Sequence, residues 1–185
     1  MTSLLTLKAL LAEGRLNFDQ GGYNAVVNDD RDVLTWLLEN GWDWKAGSAH
    51  RAGTAAASRG NISLLEWMHG QGYGLNPDMW SAAVEGGHDN VLEWLNQKQC
   101  PTGDMGRACL QAANLGKEKV IDKLDEYGLP MDMRCYVGAA EGGHISTLQW
   151  LYENTGGWNA RVRDTVLLVA DDDEDIVEWA NSIEL

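Results

Sequence analysis

The chain has 185 residues, 44% of them hydrophobic, and a formal charge of −14. The hydrophobic share excludes a disordered polymer, and the acidic balance speaks against nucleic acid, whose phosphates need Lys and Arg. No apolar run approaches the ~20 residues of a membrane span, so no membrane partner is expected.

The N-terminal residues 1–17 are Leu-rich, but Lys8 and Glu13 interrupt the run and no small-residue cleavage site follows, so it is not read as a signal peptide. Beyond it an apolar helical pattern recurs six times, as VLTWLL, LLEWMH, VLEWLN, VIDKLD, TLQWLY and IVEWAN. One position in it is Trp36, Trp67, Trp94, Lys123, Trp150 and Trp179, at intervals of 31, 27, 29, 27 and 29 residues. Such a period predicts a stack of like units in place of one globular core. The units are assigned to 18–44, 45–75, 76–102, 103–131, 132–159 and 160–185, all within a single domain over 1–185.

Within each unit the register is set seven residues before the Trp position, at Gly60, Gly87, Gly116 and Gly143, with Asp29 and Asp172 in the first and last copies. Just before it stand the pairs Ala25–Val26, Ala56–Ala57, Ala83–Val84, Ala112–Ala113, Ala139–Ala140 and Leu168–Val169. Four, five and eight residues after it come apolar positions, as in Val91, Leu92 and Leu95, which is one face of a helix. Each unit thus reads as a small-residue helix, a tight turn and a second, bulkier amphipathic helix. The Trp falls at the edge of the second helix's apolar face, where it can bridge units. Leu7 to Leu11 fit the same register and form an N-terminal half-unit cap, whereas Asp171 to Asp175 supply acidic residues suited to the start of the last helix. No segment shows β alternation, so the chain is read as all-α.

Ala139-Ala140-Glu141-Gly142-Gly143-His144, followed by Leu148 and Trp150-Leu151, resembles the ankyrin-repeat pattern, as do Ala83 to His88 and Ala112 to Lys117. With its Trp and short connections, the chain is similar to the short ankyrin-like repeats abundant in giant viruses and some protists. The resemblance implies a helical solenoid of about six helix-turn-helix repeats whose hairpin fingers are reduced to plain loops. The usual T-P-L-H tetrapeptide is missing, and the period is shorter than the ~33 residues of ordinary ankyrin repeats. The resemblance also implies a cytoplasmic, non-catalytic protein-binding module, a monomer whose partner lies in the groove of first helices and loops.

Candidate chemistry is sparse. His88 and His144 share a position with Asp30, Asn61, Lys117 and Asp173, which asks only for a residue suited to a turn or helix start. His50 and His69 lack partners at metal-ligand spacing. Cys100, Cys109 and Cys135 form an odd set without a CxxC spacing, which points to a reducing compartment and no disulfide framework. Cys109 and Cys135 stand one residue out of step, which speaks against a pair. No phosphate-binding loop or nucleophile elbow is present, so neither catalysis nor a cofactor or metal is expected.

A quieter constellation lies nine residues before each turn: Gln20, Arg51, Asp78, Arg107, Arg134 and Arg163. The first-helix stack would set these in a row. Two readings are open. The row is either an Arg ladder for an acidic ligand segment, or a set of local pairs with Asp78, Asp104 and Asp132. The family's groove would add Asn24, Ser58, Glu85, Gln111, Asn114 and Glu141. Trp42, Trp44 and Trp158, in the loops, are either binding anchors or lids over the core. The alternative function is an acidic inhibitor or mimic that sequesters a basic enzyme or nuclease through its negative field.

Overall fold

The computed structural model describes residues 4–44, 49–103, 106–170 and 173–184, with the side chains of 49 and 50 left out of the description. Among the described residues it holds thirteen helices and no strand. They are α1 (Leu4–Ala12), α2 (Phe18–Val27), α3 (Arg31–Glu39), α4 (Ala49–Ala57), α5 (Ile62–Gly70), α6 (Asp78–Gly86), α7 (Asp89–Gln97), α8 (Gly106–Asn114), α9 (Glu118–Glu126), α10 (Met133–Glu141), α11 (Ile145–Thr155), α12 (Ala160–Val169) and α13 (Glu174–Ser182). The all-α class read from the sequence holds.

After α1 the helices run in pairs, α2 with α3 through to α12 with α13, and the first helix of each pair packs on the first helix of the next. The turn within each pair needs a left-handed residue, and the register position supplies it: φ is +51° at Asp29, +69° at Gly60, +73° at Gly87, +62° at Gly116 and +70° at Gly143. Asp172 lies outside the described residues. The next amide then closes the first helix, as His88 N–H donates to the Ala83 carbonyl at 2.9 Å and His144 N–H to Ala139 at 2.9 Å.

The apolar positions of the second helices are buried as their spacing requires: Val33, Leu34 and Leu37, then Leu64, Leu65 and Met68, Val91, Leu92 and Leu95, and Val120, Ile121 and Leu124. The first helices bury their small pairs from Ala25–Val26 to Ala139–Ala140, letting helix axes approach closely. The recurring Trp does bridge pairs. Trp67 meets Trp44 of the preceding unit edge-on at 6.5 Å, Trp94 meets His69 at 6.2 Å, and Trp179 meets Trp158 at 5.0 Å.

Three sequence expectations are corrected. The first concerns α12. Leu168 is not the counterpart of the buried Ala pairs, being 80% exposed, and the helix instead buries Val162, Val166 and Ala170. That i, i+4, i+8 stripe sets the register of α12 two residues away from the one counted back from Trp179. The offset arises downstream of the stripe: Val162 and Trp179 are 17 residues apart where Cys135 and Trp150 are 15, and α12 runs ten residues against nine for α10.

The second correction is covalent: Cys109 and Cys135 form a disulfide between α8 and α10. The two helices approach closely where Gly138 sets its backbone directly on the Leu110 carbonyl, where any Cβ would collide. One residue of phase difference is absorbed by that contact.

The third concerns His88 and His144, which stand at the N-caps of α7 and α11 but make no capping bond. Their Nε2 atoms donate to the preceding unit, to the Ser58 carbonyl at 3.1 Å and the Asn114 carbonyl at 3.0 Å. Lys117 does the same to the Val84 carbonyl at 3.1 Å. Last-turn carbonyls of a helix lack intrahelical donors, and here the next unit provides them.

Candidate binding groove

The row of first helices presents its N-terminal ends along one edge. In the row, each of four members is followed directly by a buried residue: Arg51 by Ala52, Asp78 by Met79, Arg107 by Ala108, Arg134 by Cys135. In α12 the first buried position is Val162, so the residue in line is Arg161 and not Arg163. Arg163 is drawn inward: its guanidinium meets Asp164 at 3.3 Å while its Nε is buried without a partner.

Small side chains of α4, of the turn after it and of α6, chiefly Ala55, Ser58, Ser81 and Ala82, leave a cavity of about 430 Å³ against α2 and α8. Its rim carries Arg51, Arg59, Asp78, Glu85 and Arg107. The Arg51 guanidinium stands 5.2 Å over the ring of Tyr23, a cation–π contact that fixes its direction. Arg59 donates to the Val27 carbonyl. Among the described residues no ion pair joins Asp78 to Arg51 or Arg107, so the local pairing proposed for Asp78 is not seen; Asp104 lies outside them.

A second cavity, of about 470 Å³, opens between α10 and the start of α12 and is lined by Met131, Asp132, Met133, Arg134, Arg161 and Val162, with Gly157 and Asn159. Here local pairing does occur. Arg134 Nη2 donates to Asp132 at 2.6 Å and Nε at 3.0 Å, while Asp132 also accepts the Arg134 amide at 2.9 Å as N-cap of α10. These hydrogen bonds hold the Asp132 carboxyl below its ordinary value against the opposing effect of burial.

The remaining expected site residues fall elsewhere. Half-buried Gln111 and Asn114 and exposed Glu141 line neither cavity, and Asn24 Oδ1 is taken by Gln20 Nε2 at 2.9 Å. Trp42 is only 4% exposed and roofs Gly22, so it is a lid over the core and not a binding anchor. Trp44 donates its indole N–H to the Gln71 carbonyl at 3.1 Å, and half-buried Trp158 packs on Tyr136 at 5.5 Å. Sequence reading missed Tyr23, Arg59 and Arg161. Only Arg161 had a usable signal, in the Val162, Val166 and Ala170 stripe.

Cys100 is buried, and burial pushes its thiol pKa up to about 12, which leaves it protonated and unreactive at neutral pH. Among the described residues no three His, Cys, Asp or Glu side chains gather as a metal site, and no helix is long and apolar enough to cross a membrane.

The two cavities invert the chain's charge balance. They gather five Arg (51, 59, 107, 134 and 161) against three carboxylates (78, 85 and 132), in a chain with 14 basic and 28 acidic residues. No family model matches the chain, and no curated protein or solved structure matches it either.

Proposed function

We propose that the chain is an ankyrin-like solenoid of six helix-turn-helix repeats with an N-terminal half-repeat, and that it acts as a non-catalytic module holding a protein partner in the groove of its first helices. The observation that carries the reading is the cavity spanning α2, α4, α6 and α8, with a floor of small side chains and a rim of Arg51, Asp78, Glu85 and Arg107. A shallow, mixed-charge trough across successive units suits an extended segment better than a compact metabolite, which binding pockets enclose more fully. Fold alone does not assign this role; the composition of the trough supports it.

Selection from a randomised peptide-display library tests the reading. Binders are expected to lose affinity on Ala55→Tyr, which fills the floor, and on Glu85→Lys, while keeping it on Glu93→Lys on a second helix. Circular dichroism melts check that each variant is folded. Binders insensitive to both groove changes, or no binders at all, would overturn the assignment.

A further inference from the structure

The order of charges along the first-helix row carries information about what lies on it. From α4 to α12 the row reads Arg51, Asp78, Arg107, Arg134 and Arg161. Arg134 is matched by Asp132 in its own loop, which leaves that step close to neutral. Among the described residues no ion pair involves Arg51, Asp78, Arg107 or Arg161. A cation in the first turn of a helix is opposed by the helix dipole, and among the described residues no carboxylate pairs with these three Arg; Arg51 rests on the Tyr23 ring alone. Lys is absent from both cavities although the chain has six. Arg is the side chain whose planar fork grips a carboxylate with two parallel hydrogen bonds.

We infer that this row is a template for an extended peptide segment whose charges run in the complementary order: acid, base, acid, neutral, acid. The inference rests on the protein-binding reading above. Helices stacked ~10 Å apart and an extended chain advancing ~3.3 Å per residue put successive contacts about three residues apart. The segment therefore places acids opposite Arg51, Arg107 and Arg161, a Lys or Arg opposite Asp78, and a neutral residue opposite the Asp132–Arg134 pair. Asp78 is the specificity residue, because it is the one negative step in a row whose other steps are positive or, at Arg134, neutral. A nucleic-acid backbone, uniformly negative, would be repelled there and at Glu85.

The test uses the intact protein and synthetic peptides of about thirteen residues, made in both chain directions and read by fluorescence anisotropy. The patterned peptide is expected to bind about fivefold or more tightly than peptides of equal composition with permuted charges, the scale of a few exposed ion pairs. Asp78→Lys should reverse the preference toward a peptide with an acid at the base position. Asp78→Asn, a milder change, should shrink the discrimination without reversing it. Equal binding of patterned and permuted peptides would overturn the template, as would Asp78→Lys without a change of preference, or tighter binding of single-stranded DNA that displaces the peptide. If library-selected peptides still bind and remain sensitive to Ala55→Tyr in that event, the template alone has failed. If nothing engages the groove, the protein-binding reading has failed with it.

Discussion

The Gly53 amide N–H donates to the phenolic oxygen of Tyr73 at 3.0 Å, with the aromatic ring lying where a Cβ on Gly53 would have to go. The same two places in the unit are complementary elsewhere. Gly22 is roofed by Trp42, and Trp80 faces the small Cys100 thiol. A large residue on the first helix goes with a small one after the second helix, and the reverse. Trp42, Tyr73, Cys100 and Leu129 are each set by the same bond, their amides donating at 2.9, 3.0, 2.9 and 2.9 Å to carbonyls five residues back. Gly53→Ala is therefore expected to destabilise the fold by ~1–3 kcal/mol through overpacking. In a Tyr73→Leu background the same change should cost less, with a coupling of ~1 kcal/mol in denaturant midpoints. Additive costs would show that the two positions do not share one space.

The bond from His88 to the Ser58 carbonyl joins two units, and its place is taken by Lys117 one unit later. Removing a donor to an otherwise unpaired helix-end carbonyl costs ~0.5–1.5 kcal/mol. His88→Ala should show that loss by thermal or chemical denaturation. His88→Lys should recover most of it if a donor is what the site needs, and none if the imidazole ring is needed for its packing on Gly60 and Gly86.

Much of this was legible in the chain and some was not, for identifiable reasons. The second-helix core and the left-handed turns followed from spacing, because burial and φ repeat with the period. The register was anchored on the Trp of the second helix, however, so counting back from Trp179 could not sense the two extra residues between Val162 and Trp179. Arg163 was placed in the row for that reason and Arg161 was not. The Cys109–Cys135 bond was hidden because it depends on how closely α8 and α10 approach, which Gly138 decides through a contact with Leu110 that spacing does not encode. His88 stands at a helix start as its position implies, but position alone does not tell whether a side chain turns back to its own helix or across to the neighbour.

The disulfide gives a direct check. It links positions 26 residues apart, and closing a loop of about that length stabilises by ~3 kcal/mol in the chain-entropy account. Reductant should lower the melting temperature of the wild type, and Cys135→Ala should match the reduced protein with no further response. Cys100→Ser should keep the response, since Cys100 is free. Free-thiol counts of three in the unfolded, non-reduced protein would contradict the bond.

The Asp132–Arg134 pair should show in the pH dependence. The carboxyl is held below its ordinary value of 3.8, chiefly by the hydrogen bonds from Arg134. A group depressed in the folded state stabilises above its unfolded pKa and loses that contribution as pH falls through the folded one. The wild type should therefore exceed Asp132→Asn by a constant margin between about pH 5 and 7, shrinking below about pH 4. Both side chains are more than a third exposed, so the margin is expected to be ~1 kcal/mol or less. A margin that grows on acidification would reverse the sign and reject the pairing.

The recurring Trp offers the last prediction. Trp94 is 4% exposed, whereas Trp36, Trp67, Trp150 and Trp179 are only partly buried. Its indole N–H is buried with no hydrogen-bond partner, so its value lies in packing against His69 and the core and not in polarity. Trp94→Ala should cost ~3–5 kcal/mol. Trp94→Phe should cost clearly less than that, because it gives up some contact area but also removes a buried, unsatisfied donor. The same Ala substitution at Trp36 should fall below the Trp94 value. Equal losses at the two sites would mean that burial does not set the worth of this position, and that the unit period selects Trp for another reason.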